Sequence, residues 1–162
     1  MRAAGFTLIE MMVAIAVAVI LMTLAVPSFQ QSRLTTQLRA STNDLVADVN
    51  LARGEALKRN QPVTMCVSSD GAACSTGGWQ QGWIVVSGGT VIRREFAAPD
   101  GFLIKDSNGV TTLSFQPTGV DSTPAALTVC RAAPQIGNQE RLITIDATGR
   151  PWITRTANGS CS

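Results

Sequence analysis

The sequence predicts an α+β protein: a long N-terminal helix, transmembrane in its first half, packed on an antiparallel β-sheet head. Three observations lead there. From Phe6 to Val26 the chain is apolar except at Thr7, Glu10 and Thr23. Beyond that run, apolar residues recur at helical spacing as far as Ala56. After Pro62 the pattern changes to short extended runs separated by Gly, Pro, Asn and Asp turn signals.

The apolar run suits a membrane. A hydrocarbon core of ~30 Å needs ~20 apolar residues at 1.5 Å rise each, and Pro27 closes a run of that size. Glu10 is its only charge. A carboxylate inside bilayer costs ~2.5–3.5 kcal/mol, so a plain anchor has no use for one, and Glu10 calls for a partner.

The second stretch extends the helix through Pro27. Phe29, Leu34, Leu38, Leu45, Val49, Ala52 and Ala56 form one stripe, with Arg33, Gln37, Arg39, Asp44, Asp48 and Arg53 off it. Glu55 and Arg59 make an i,i+4 pair in the favourable order. Asn60-Gln61-Pro62 reads as the stop, since Pro62 disfavours a helical Gln61. One helix is therefore expected from Phe6 to about Asn60.

In the head, Val63–Val67 reads as a strand and the stretch from Ser68 to Gly78 as a loop. Trp83–Val86 and Val91–Phe96 flank Ser87-Gly88-Gly89-Thr90 and read as a hairpin. Further strands are expected at Phe102–Ile104, Thr111–Phe115, Ala126–Cys130 and Leu142–Ile145. Ala132–Glu140 reads as a surface loop, and Pro151–Thr154 as an edge strand, where a proline is tolerated. Trp79 and Trp83 are expected to pack in the head's core or rim.

Composition limits the chemistry. The chain has 162 residues and a net charge of +2, with no histidine and no tyrosine. A Ser-His or Cys-His pair is impossible, the head acids are scattered, and no Gly-rich phosphate loop occurs. No enzyme and no cofactor is expected. The charge balance gives no bulk attraction for nucleic acid. Cys66, Cys74, Cys130 and Cys161 form no CxxC, so zinc and redox motifs are poorly supported. An even count behind a membrane segment points to disulfides in an oxidising compartment. Three pairings are open; Cys66–Cys74 with Cys130–Cys161 is favoured, because each pair brackets a loop-rich stretch.

The N-terminus admits three readings. A secretory signal would carry Glu10 inside its apolar run and Pro27 in a poor place for cleavage. A plain anchor leaves Glu10 and the Gly5-Phe6 junction without a role. The third reading starts from MRAAG followed by FTLIE, Met1 to Glu10, which resembles the class III signal of type IV pilins and type II secretion pseudopilins. The resemblance implies cleavage after Gly5 by a prepilin peptidase, N-methylation of Phe6, a subunit-assembly role for Glu10 and a helix kink at Pro27. A free amine on Phe6 would be positive, and Glu10 of a neighbouring helix would offset the cost of burying it. Leu51-Ala52-Arg53-Gly54-Glu55-Ala56, Trp79, Gly82-Trp83-Ile84-Val85 and Thr148-Gly149-Arg150 narrow the resemblance to the GspH/FimT branch, which holds minor pilins and the H-type pseudopilin.

The resemblance implies four segments: a leader (1–5), a transmembrane and filament-core helix (6–28), an amphipathic second half of the helix (29–61) and a β-rich head (62–162). It implies a minor structural subunit of a type IV pilus that helps initiate or cap assembly, with the H-type pseudopilin of type II secretion as the alternative. The expected partners are the peptidase, other pilins or pseudopilins, the inner-membrane assembly platform and membrane lipid, with the head in the periplasm. Some FimT-type minor pilins bind DNA through Gly-Arg-x-Arg. Here Gly149 and Arg150 are present, but Trp152 replaces the second Arg and Arg155 lies three residues on. Arg150, Arg155 and Arg141 are candidates for phosphate and Trp152 for stacking on a base. The broken motif favours instead a hairpin turn with an exposed Arg and a Trp covering the sheet.

Overall fold

The computed structural model describes residues 7–132, 139–158 and 161. The chain runs α1 (Leu8–Arg59), β1 (Val63–Val67), a 3-10 turn (Trp79–Gln81), β2 (Trp83–Ser87), β3 (Thr90–Glu95), β4 (Phe102–Asp106), β5 (Thr112–Phe115), β6 (Ala125–Arg131), β7 (Glu140–Ile145) and β8 (Pro151–Thr156). Two compact units divide within α1, between Thr36 and Gln37. The expected leader, residues 1–5, and Phe6 lie outside the described residues, as does most of the loop expected at Ala132–Glu140.

The helix passes through Pro27 without a break. That proline has no N–H, so the carbonyl of Thr23 loses its helical donor. The helix stops ahead of Pro62, as expected, and a local closure adds to the proline's effect. Asn60 adopts φ 52°, and the Gln61 N–H reaches back to the Ala56 carbonyl at 3.3 Å. That is a Schellman closure, with asparagine in the left-handed position glycine usually takes. Glu55 is ion-paired with Arg59.

In the second unit the head has two antiparallel four-stranded sheets, ordered β3-β2-β1-β5 and β4-β6-β7-β8. Gly88 and Gly89 both have positive φ, 55° and 78°, which a two-residue hairpin turn between β2 and β3 requires. The β2–β3 register then shifts between Val85 and Val86, leaving Ile92 as an extra residue. Strand β8 is an edge strand, as expected.

The core joins the buried face of α1 to both sheets. Leu38, Leu45, Val49, Ala52 and Ala56 are buried with Met65, Trp79, Trp83, Ile84, Ile104, Leu113, Phe115, Leu127 and Ile143. Each large member contributes ~1.5–3 kcal/mol by leaving water. The stripe is shorter than its sequence pattern: Phe29 is 74% exposed, Leu34 is half-buried, and complete burial begins at Leu38. Disulfides join Cys66 to Cys74 and Cys130 to Cys161, with Cα separations of 5.5 and 5.8 Å.

Candidate functional site

In the N-terminal unit the helix begins with a capping box. The Thr7 N–H donates to Glu10 Oε2 at 3.4 Å, and the Glu10 N–H donates to Thr7 Oγ1 at 3.3 Å. Two of the donors that a helix start leaves unpaired are met in this way. The T-x-x-E spacing of Thr7 and Glu10 is the sequence signal for this box. Behind it Leu8, Ile9, Met11, Met12, Val13, Ile15, Val17, Val19, Ile20, Leu21 and Met22 are all exposed. This stretch is long and apolar enough to cross a membrane. Glu10 is thus held at the positive end of the helix dipole, on a surface whose other side chains call for lipid or other helices. Gly5 and Phe6, the expected cleavage and methylation positions, lie outside the described residues.

In the head, Asp48 departs from the sequence reading. Although it lies off the apolar stripe, it is buried. The Trp83 indole Nε1–H donates to Asp48 Oδ2 at 2.8 Å, and Arg93 Nε lies 3.2 Å from Asp48 Oδ1. Arg93 also pairs with Glu95 at 3.1 Å. Trp83, Val85, Arg93 and Glu95 share a sheet face because Trp83 faces Glu95 and Val85 faces Arg93 across the ladder. Burial raises the Asp48 carboxyl above its ordinary range, against the lowering effect of Trp83 and Arg93. Burial, then the charge of Asp44, raises Glu95 as well. With its oxygens engaged by Trp83 and Arg93, Asp48 fastens α1 to the first sheet. Trp79 is buried too, and its indole donates to the Val110 carbonyl at 2.7 Å. Both tryptophans are structural.

The C-terminal motif is a built turn. Asp146 Oδ1 accepts from the Thr148 N–H at 2.8 Å, the Thr148 hydroxyl at 2.6 Å and the Arg150 N–H at 3.1 Å. The Thr148 hydroxyl first, and then the backbone donors, hold its carboxyl below the ordinary range. Gly149 has φ 72°, and a Cβ there would sit 3.0 Å from Phe115 and Ser122. Arg53 Nε donates to the Thr148 carbonyl at 2.9 Å, tying α1 to this turn. The glycine and threonine of the motif therefore have structural reasons.

Arg150, Trp152 and Arg155 are all exposed but do not form one patch. Trp152 faces Thr144 and Arg155 faces Arg141 across the β7–β8 ladder, so Trp152 and Arg155 project from opposite faces. Arg141, considered for phosphate, is buried.

The comparisons with known proteins agree with this architecture. Residues 41–149 match the family described as Type II transport protein GspH. Residues 1–26 match the prokaryotic N-terminal methylation motif. No curated protein matches the chain. Among solved structures, the type IV minor pilin FimU of Pseudomonas aeruginosa is similar in two crystal forms. One gives a TM-score of 0.63 at 19% identity over 79% of this chain and 97% of that one. The other gives 0.58 at 19% over 76% and 99%. The minor pseudopilin EpsH of Vibrio cholerae gives 0.51 at 12% identity over 76% of this chain and 99% of that one. These likenesses establish the type IV pilin-like fold, and the family match spans most of the chain: this protein belongs to the GspH family.

Proposed function

We propose that this chain is a minor structural subunit of a type IV pilus, one that helps initiate or cap the filament and has no enzymatic role. The observation that carries the reading is the methylation-motif match over residues 1–26, set on a helix whose apolar side chains are exposed. In this reading a prepilin peptidase removes residues 1–5 by cutting after Gly5, and Phe6 is N-methylated. Residues 6–28 anchor the precursor in the inner membrane and later join the filament core, with Pro27 easing a bend. Residues 29–61 carry the amphipathic second half of the helix, and residues 62–162 form the periplasmic head, which meets other pilins. Glu10 sits near the new amine and neutralises it between neighbouring helices. The assembly platform and membrane lipid complete the set of partners.

A second reading, the H-type pseudopilin of type II secretion, is favoured by the description of the matching family. Deleting the gene in the source organism separates the two. Loss of surface pili with secretion intact supports the pilus reading, and the reverse supports the pseudopilin. Retention of both would overturn each. DNA uptake is not proposed, because Trp152 and Arg155 project from opposite sheet faces.

A further inference from the structure

Arg141 is an uncommon residue to find inside a head. Its side chain is on β7, and the residue is only 4% exposed. Nη1 donates to the Glu140 carbonyl at 3.0 Å, while Nη2 is buried without a hydrogen-bond partner among the described residues. Arg155 stands directly opposite on β8, and the two line a cavity of about 280 Å³ with Gln139, Thr156 and Ala157. None of the ion pairs among the described residues involves Arg39, Arg141 or Arg155. Burial first, then the charges of Arg155 and Arg39, lowers the Arg141 guanidinium from its ordinary value. Two cationic side chains line this cavity, and the buried Nη2 donors of one lack an acceptor among the described residues. A guanidinium presents a planar fork that matches a carboxylate in a bidentate pair.

We propose that the Arg141–Arg155 cavity receives a carboxylate from a second polypeptide, carried on an extended acidic segment that pairs with the open edge of β8. The adjoining surface fits such a segment. Strand β8 is the last strand of its sheet, so among the described residues no strand pairs with its outer side, where a strand could add. Ile153 shares the face of Arg155 and is 43% exposed. An extended partner with an apolar residue two positions from an acidic one would cover both. Nucleic acid fits less well. It needs several phosphate contacts along a basic track, whereas this chain carries a net charge of +2 and only two arginines line the cavity. The inference does not depend on how the N-terminus is processed.

The test uses the full chain in neutral detergent micelles and a fluorescein-labelled, C-terminally amidated peptide, acetyl-Thr-Ile-Thr-Glu-Thr-Val, followed by anisotropy. Binding should be salt-sensitive, and replacing the peptide's Glu by Gln should weaken it at least tenfold. Arg155→Ala and Arg141→Met should each do the same, and Arg141→Lys should recover only part, because an ammonium cannot make the bidentate pair. Arg155 is exposed, so its variant remains informative if Arg141→Met does not fold. Equal affinity for the Glu and Gln peptides, no binding of either, or full binding by Arg155→Ala would overturn the proposal. So would Arg155-dependent binding of a labelled twenty-mer of thymidylate in the absence of peptide binding.

Discussion

Thr7 and Glu10 exchange backbone-to-side-chain hydrogen bonds across the first turn of the helix, so the one charge in the apolar run also closes its N-terminus. Glu10 therefore has two separable tasks. It caps its own helix, and in the proposed filament it faces the amine of a neighbour.

Two variants separate these tasks. Thr7→Ala breaks the cap, which costs ~0.5–2 kcal/mol of helix stability, but leaves the carboxylate in place. Glu10→Ala removes both. Both variants should be cleaved normally, Thr7→Ala should enter filaments at near wild-type levels, and Glu10→Ala should be excluded. Immunoblots of sheared filament and membrane fractions provide the measurement. Equal loss for both variants would reduce Glu10 to a capping residue.

The burial of Asp48 beside Trp83 sets a pH dependence. Burial raises the Asp48 and Glu95 carboxyls, so the folded head keeps protons that the unfolded chain has released. Their stabilising effect is complete below the ordinary carboxylate range and is lost as pH rises through the raised values. Asp70 and Asp146 are lowered instead, Asp70 first by the Ala72 N–H and Asp146 first by the Thr148 hydroxyl. Their effect is present above the ordinary value and is lost as pH falls through the lowered ones. Thermal melts of Asp48→Asn from about pH 4 to 8 should therefore show a shallower decline with rising pH than wild type. Asp48→Ala leaves the buried Trp83 N–H without its acceptor and should cost ~1–3 kcal/mol.

Two glycines should respond oppositely to alanine. Gly82 has φ 108°, and a Cβ there would lie 2.6 Å from the Glu95 carbonyl oxygen, which is backbone and cannot swing away. Gly82→Ala should cost on the order of 2–4 kcal/mol. Gly54 lies inside α1 with nothing within 4 Å of the added atom, and Gly54→Ala should stabilise by ~0.5–1 kcal/mol. Denaturant melts of the two variants decide the point, and a stable Gly82→Ala would contradict the packing described.

The disulfides close loops of unequal length, with sequence separations of 8 and 31. Loop-closure entropy gives about 2.5 kcal/mol for the shorter and about 3.7 kcal/mol for the longer. Replacing both Cys130 and Cys161 by Ser should lower the denaturation midpoint more than the same change at Cys66 and Cys74. The reverse order would contradict the entropic account.

The elements were legible because their signals are local. Alternation and turn residues marked the strands to within a few residues, and Gly88-Gly89 marked the hairpin turn. Pairing was not legible. That β1 lies between β2 and β5, and that β4 and β6 open a second sheet, depends on contacts between distant segments that no local pattern carries. The same limit hid Asp48, whose partner Trp83 is 35 residues away, and the burial of Arg141. The stop at Asn60 is legible from Pro62 two residues on, whereas an asparagine's left-handed turn is a weaker signal in sequence.

The most direct test of the central claim is mass spectrometry of the mature protein's N-terminal peptide, isolated from the membrane or filament fraction. The account predicts a peptide that begins at Phe6 and carries one N-methyl group. A peptide that begins at Met1, or near Ser28, would contradict it.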